Sequence, residues 1–224
     1  MCAEQPSDVP NPSSQSSERP SDWDVRHRAA AQDSPAEPAS FVRELLPLLP
    51  RGPALDLACG SGRHSLLLAG RRQAVTAADS SAVGLDILEE RARACGLPVH
   101  RAGTLQPIIA SRHGIELVDV DLERAVLPAA SFALILCVQY LQRSLFGQMA
   151  RALAPGGMIL FETYTTAQLG FAGGPKNPEH LLEHGELRAA FPSLRLLFYR
   201  ELRAGTGIAS LIAQKPFGAH FSVE

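Results

Sequence analysis

Lysine is nearly missing from this chain: Lys176 and Lys215 are the only two in 224 residues, so arginine carries almost all of the positive charge. The arginines are scattered rather than clustered, and the formal net charge is −2. That balance gives no general attraction to a nucleic acid or to an anionic membrane surface. Positions such as Arg91, Arg93 and Arg101 read as a solvated face. No apolar run approaches the ~20 residues that a spanning helix needs. The amino terminus also lacks the basic region and apolar stretch of a secretory signal, which makes the cytoplasm the expected location. The four cysteines, Cys2, Cys59, Cys95 and Cys137, share no C-x-x-C spacing. Reduced thiols are therefore expected, rather than disulfides or a zinc cluster.

What the chain does have is apolar content, at 46%, enough for one full core and one domain. Residues 1–21 are rich in Ser, Pro, Asn, Gln and Glu and are expected to form a disordered tail. The domain is expected over residues 22–217, with a short tail at 218–224. Phe41 to Leu49 shows helical periodicity and stops at Pro50. Apolar runs at 53–58, 73–78, 115–120, 133–138, 158–163, 193–200 and 206–213 then alternate with helical patterns, which predicts an α/β fold with a mostly parallel sheet covered on both faces. Only a short segment holding Gly205, Thr206 and Gly207 separates the last two runs, so they are expected to form a hairpin, making one strand antiparallel. Residues 98–114 read as an extra helix or loop.

The most informative stretch is Ala54-Leu55-Asp56-Leu57-Ala58-Cys59-Gly60-Ser61-Gly62-Arg63-His64-Ser65, followed by Val75-Thr76-Ala77-Ala78-Asp79-Ser80. An apolar run ends in a glycine-rich turn, a helical segment follows, and a second run ends in a carboxylate seventeen residues after Gly62. Glycines there let the backbone approach a ligand closely, and a carboxylate at the tip of the next strand accepts ribose hydroxyls. A dinucleotide site would want a third glycine where this chain has Ser65. Asp56, inside the first strand, would repel a diphosphate but suits a ligand bearing an ammonium or sulfonium group. S-adenosyl-L-methionine is such a ligand.

From Asp56 to Arg63 the sequence resembles the first signature of class I S-adenosylmethionine-dependent methyltransferases, in the tellurite-resistance-type and related small-molecule branch. Trp23-Asp24-Val25-Arg26, Asp121-Leu122-Glu123, Tyr140 to Phe146, Pro155-Gly156-Gly157, Glu162-Thr163-Tyr164 and Gly174 to Leu182 resemble further blocks in the family's order. The resemblance implies a Rossmann-like, seven-stranded, mostly parallel sheet with one antiparallel strand from a C-terminal hairpin and helices on both faces. It implies cofactor contacts from Asp56, Ala58, Cys59, Gly60, Gly62 and Arg63, from Asp79 and Ser80, from Asp121 and Leu122, and from Val138. Asp56 would act at the methionyl ammonium, directly or through water. Arg63 reads either as a surface helix residue or as a group reaching the cofactor carboxylate. Asp121 would accept from adenine N6, with Asp119 as its rival.

Tyr140, Arg143, Glu162 and Tyr164 stand at the expected carboxyl ends of the fourth and fifth strands; Tyr140, Arg143 and Glu162 are the candidate catalytic residues, facing a small-molecule methyl acceptor. Their plainer roles are packing, a surface ion pair or support of the sheet. Trp23 and His27 could form a lid over the cofactor, or Trp23 could plug the core. Ser131-Phe132-Ala133 departs from the family's Phe-Asp at the fourth strand, which implies a repacked strand entry. His180-Leu181-Leu182-Glu183-His184 formally fits H-x-x-E-H, but Pro178 and Gly185 leave no helix to carry the pair, so no metal is expected. A dinucleotide oxidoreductase and a non-catalytic cofactor-binding protein are the alternatives.

Overall fold

The computed structural model describes Asp24, residues 37–107 and residues 113–217. The sequence expectations for the two terminal tails and for Trp23 and His27 lie outside the described residues.

The elements in chain order are α1 (Ser40–Leu45), β1 (Ala54–Leu57), α2 (Arg63–Ala69), β2 (Ala74–Asp79), α3 (Ala82–Ala94), β3 (Val99–Ala102), β4 (Gly114–Asp119), β5 (Phe132–Val138), α4 (Phe146–Ala152), β6 (Leu153–Tyr164), α5 (Glu186–Ala189), β7 (Arg195–Leu202) and β8 (Ile208–Gln214). They build one eight-stranded sheet in the order β3-β4-β2-β1-β5-β6-β8-β7. Strand β8 runs antiparallel to both of its neighbours, and the other pairings are parallel. The terminal hairpin is thus as expected from Gly205-Thr206-Gly207.

Among the described residues the count is eight strands rather than seven. The additional strand is β3, within the segment 98–114 that read as a helix or loop. Its pattern explains the miss: Val99-His100-Arg101-Ala102 is short, polar in the middle and partly exposed at the sheet edge, so it has neither the apolar run nor the alternation of a buried strand. Arg101 ties it to α3 through Glu89 at 2.8 Å and through Asp86. The first helix is also shorter than its periodicity suggested. It ends at Leu45 and continues as a 3₁₀ turn over Leu46–Leu48, because Pro47 has no N–H to return to the carbonyl four residues back.

Strands β1, β2 and β5 are nearly continuous apolar runs because helices cover both faces. Leu55, Leu57, Ile135, Cys137, Ile159 and Phe161 pack on one side with Met149 of α4, Leu187 of α5 and Phe191. Ala54, Leu134, Leu136, Val138 and Leu160 pack on the other with Phe41, Leu68, Leu85 and Leu88 of α1, α2 and α3. The chain leaves β1 toward β2 in one direction and returns to β5 on the opposite side. The carboxyl ends of β1 and β5 therefore flank the point where strand order reverses, where open α/β sheets hold their ligands. Among the described residues no helix is long and apolar enough to cross a membrane.

Candidate active site

The turn after β1 is built from left-handed backbone: Ala58, Gly60 and Gly62 have φ of 58°, 54° and 79°. Gly62 N–H closes it onto the Cys59 carbonyl at 2.9 Å, and Cys59 N–H reaches Ala78 of β2 at 3.2 Å. Ala58 holds a left-handed φ without glycine's freedom, a strained position of the kind that gathers at ligand sites.

Asp79, at the end of β2, locks onto this turn. Its Oδ2 accepts from Gly60 N–H at 2.7 Å and its Oδ1 from Ser81 N–H at 2.9 Å. The carboxylate is held in one orientation, and each oxygen keeps acceptor capacity for a ribose hydroxyl. Asp56 shares the face of Ala54, beneath α2, and is buried. Its Oδ2 accepts from Ser65 Oγ at 2.6 Å. Burial pushes its carboxyl up to about 6, against the lowering effect of the Ser65 hydrogen bonds. The residue standing where a dinucleotide site needs glycine is thus the partner of the carboxylate. Burial, with Asp56 and Asp79 adding, also drives the Cys59 thiol well up, so Cys59 serves the turn as a protonated thiol and not as a nucleophile.

Asp24 meets the residues just past β2: its Oδ1 accepts from Ser81 Oγ at 2.6 Å. Ser81 in turn caps α3, its hydroxyl accepting from Gly84 N–H at 3.0 Å. His64, on the buried face of α2, accepts from Ala39 N–H through Nε2 at 3.2 Å. Burial, helped by the charge of Arg63, holds its pKa down to about 3, so it stays neutral.

The remaining sequence-predicted residues fall into three situations. Leu122 and Val138 are buried at the strand ends, and Ser80 is exposed beside Asp79. Asp121 is exposed; its Oδ1 accepts from Glu123 N–H at 3.0 Å and its Oδ2 lies 3.5 Å from Arg124 Nε. Its rival Asp119 is paired in register with Asp79 on the adjoining strand. Burial raises the Asp119 carboxyl, opposed by the nearby Arg101.

Tyr140 is half-buried against the α4 side of the core, and burial pushes its phenol up. Arg143 is committed to the loop before α5: it donates to the Glu179 carbonyl at 3.0 Å, the Leu181 carbonyl at 2.9 Å and both oxygens of Glu186. Glu162 is buried on the α1–α3 face, accepting from Ser210 Oγ at 2.6 Å with Arg200 Nη2 3.6 Å away. The structure therefore gives Arg143 and Glu162 protein partners that were not visible from their spacing.

One residue that sequence reasoning did not single out stands between the two halves of the site. Gln139, just past β5, accepts from Arg63 Nη2 at 2.8 Å and donates to Tyr164 Oη at 3.3 Å. No sequence signal marks it.

His180 sits in a single 3₁₀ turn, Pro178–His180, and His184 lies in the following loop, so they do not share a helix. His184 Nδ1 instead meets Glu201, which also accepts from Tyr199 Oη and from Gly185 N–H at 2.8 Å. These contacts outweigh desolvation and hold the Glu201 carboxyl down to about 2. Among the described residues no three His, Cys, Asp or Glu side chains come together as a metal-ligand set. Glu201, His184 and Arg203 line, with Thr165, Thr166 and Ala167, an open cleft of about 300 Å³ at the carboxyl end of β6.

This geometry, a glycine-rich turn locked to a strand-end carboxylate beside a buried acid, coincides with a known domain. Residues 54–157 match the family described as Methyltransferase domain. Among solved structures the fold is similar to TehB from Haemophilus influenzae, at TM-score 0.65 and 18% identity, covering 83% of this chain and 65% of that one. It is similar to an S-adenosylmethionine-dependent methyltransferase from Mesorhizobium loti, at TM-score 0.59 and 18% identity, covering 79% of this chain and 98% of that one. It is also similar to the N-methyltransferase NodS from Bradyrhizobium japonicum WM9, at TM-score 0.57 and 15% identity, covering 86% and 95%. The chain spans about two thirds, 65%, of the length of TehB. No curated protein matches the sequence. At these identities the structural likeness speaks for the fold alone. Residues 54–157 thus match a methyltransferase domain, on a fold shared with S-adenosylmethionine-dependent methyltransferases of known structure.

Proposed function

We propose that the chain is a class I S-adenosylmethionine-dependent methyltransferase and that it methylates a small-molecule acceptor. The observation that carries this choice is the overall charge of −2, with arginines scattered along the sequence, since a nucleic-acid acceptor calls for a basic footprint.

The residues present fit the cofactor. Asp79 offers two oriented oxygens for the ribose, the left-handed turn at Gly60 and Gly62 leaves room for close approach, and Asp56 supplies a buried carboxylate toward an ammonium. Asp121, or Asp119 beside it, accepts from the adenine amine, with Leu122 and Val138 forming apolar walls. When bound, the cofactor supplies a methyl group on a sulfonium, a good leaving group. The chain's task is then alignment and exclusion of water. Tyr140 and Tyr164 stand nearest the acceptor side, at the ends of β5 and β6. Arg143 contributes by pinning the 179–186 loop, and Glu162 by fixing Ser210 and Arg200 in the terminal hairpin.

Asp79→Ala removes the ribose acceptor and also leaves Gly60 and Ser81 N–H without their partner. At about 1.5–3 kcal/mol for a charged hydrogen bond, affinity for S-adenosylmethionine falls about ten- to a hundredfold. Calorimetry on the unaltered chain and this variant checks it, with NAD as the control that neither binds. The acceptor class is tested by following S-adenosylhomocysteine release over thiol, metalloid, phenol, amine and carboxylate compounds. Turnover confined to a protein or nucleic acid acceptor would remove the small-molecule assignment.

A further inference from the structure

Gln139 carries a φ of +60°, a region that residues other than glycine, Asn and Asp seldom occupy. The backbone is held there from the next strand, because Gln139 N–H donates to the Glu162 carbonyl at 2.7 Å. The turn lifts the side chain over the carboxyl end of β5, between the turn after β1 and the end of β6. There its amide is fixed at both ends. Arg63 only donates, so the guanidinium at 2.8 Å defines Oε1; Nε2 then points to the Tyr164 hydroxyl oxygen at 3.3 Å. Arg63 itself, the first residue of α2 after the glycine turn, is drawn across the space between β1 and β5, with its Nη1 also donating to the Glu37 carbonyl at 3.4 Å.

A long, exposed arginine loses several rotatable bonds' worth of freedom when it binds an anion. A neighbour that already holds it extended removes part of that loss. A neutral amide does this without neutralising the charge, which a carboxylate at the same place would do. We propose that Gln139 is a positioning residue: anchored by Tyr164 and its left-handed backbone, it holds Arg63 extended over the amino-acid end of the bound S-adenosylmethionine. This rests on the cofactor orientation given above, with adenosine at Asp79 and the amino-acid portion toward Asp56.

The test separates the two ends of the ligand. S-adenosylhomocysteine carries the amino-acid portion, whereas 5′-methylthioadenosine has the same adenosine and thioether without it. Titration calorimetry on the full chain is expected to show S-adenosylhomocysteine weakened about tenfold by Gln139→Ala, with 5′-methylthioadenosine unchanged within about twofold. Gln139→Gly removes the same side chain but accepts the positive φ; it gives the same selective loss with a melting temperature no lower than that of the unaltered chain. Gln139→Glu pairs Arg63 with a competing carboxylate and weakens S-adenosylhomocysteine further still, and Tyr164→Phe, which frees one end of the amide, weakens it by a smaller factor. Equal weakening of both ligands would mean that Gln139 only supports the fold, and no weakening of either would mean that Arg63 does not need it; each result overturns the proposal. Failure of the unaltered chain to bind either ligand would instead overturn the cofactor site itself, and this proposal with it.

Discussion

Replacing Gly62 by alanine is expected to lower the stability of the chain by about 3 kcal/mol and to abolish ordered cofactor binding. Two independent effects add. Gly62 has φ +79° at the start of α2, where a side chain costs about 1–2 kcal/mol. A methyl group at that position would also stand 2.1 Å from Leu88 Cδ1, 2.6 Å from Cδ2 and 2.7 Å from Cγ. Leu88 is fully buried in α3, with no solvent into which it could swing, so the overlap must be relieved by shifting α3 or the turn. Overpacking of this kind costs about 1–3 kcal/mol. For a chain of this size the sum corresponds to a fall in melting temperature of about 6–12 °C. A double-mutant cycle isolates the steric part: Leu88→Ala is destabilising alone, but combined with Gly62→Ala it should cost about 1–2 kcal/mol less than the two changes summed. Additivity within error would show that backbone conformation alone makes Gly62 necessary.

That contact explains how much of the site was legible in the sequence. The turn from Asp56 to Arg63 and its partner Asp79 were readable because glycine, carboxylate and strand period are all local signals, and the structure joins them through Gly60 N–H and Asp79 Oδ2. The terminal hairpin was readable for the same reason. The role of Ser65 was half-legible: its departure from glycine was evident, but its bond to Asp56 needed the helix to be laid over the strand. Strand β3 was hidden because an edge strand of four half-exposed residues has no burial pattern to display. Gln139 was hidden because neither its left-handed φ nor its position between Arg63 and Tyr164 leaves a trace in composition. Arg143 and Glu162 were legible as strand-end residues, yet their partners Glu186 and Ser210 lie 43 and 48 residues away. Long-range pairing of polar side chains decides whether a strand-end charge faces a ligand or the protein, and one sequence does not record it.

The widest pH effect follows from the two buried groups beneath the turn, which pull in opposite directions. Asp56 is raised from 3.8 to about 6. Between those values the folded chain holds a proton that the unfolded chain has released, so stability falls as pH rises, by about 3 kcal/mol in all. His64 is lowered from 6.5 to about 3. Below pH 6.5 the unfolded chain takes up a proton that the folded chain refuses, so stability falls as pH drops, by about 1.4 kcal/mol per unit. From pH 6 to pH 4 these slopes nearly cancel, and the unaltered chain should show little net change from the pair. Glu186 and Glu201, held low by their partners, add their own losses only below about pH 4.5. Asp56→Asn keeps the shape and an acceptor for Ser65 Oγ but removes the charge. It is expected to be more stable than the unaltered chain at pH 7.5 and to lose stability steadily on acidification below pH 6.5, whereas the unaltered chain levels off between pH 6 and pH 4. Denaturant melts at half-unit steps of pH measure this directly, and parallel slopes for the two chains would refute it. Function should move the other way. An ammonium placed against Asp56 favours its charged form, so affinity for S-adenosylhomocysteine in the unaltered chain is expected to rise from pH 5 to pH 7 as the carboxyl gives up its proton. In Asp56→Asn the affinity is lower at pH 7 and independent of pH across that range, which would make this buried carboxylate a case of stability given up for the ligand.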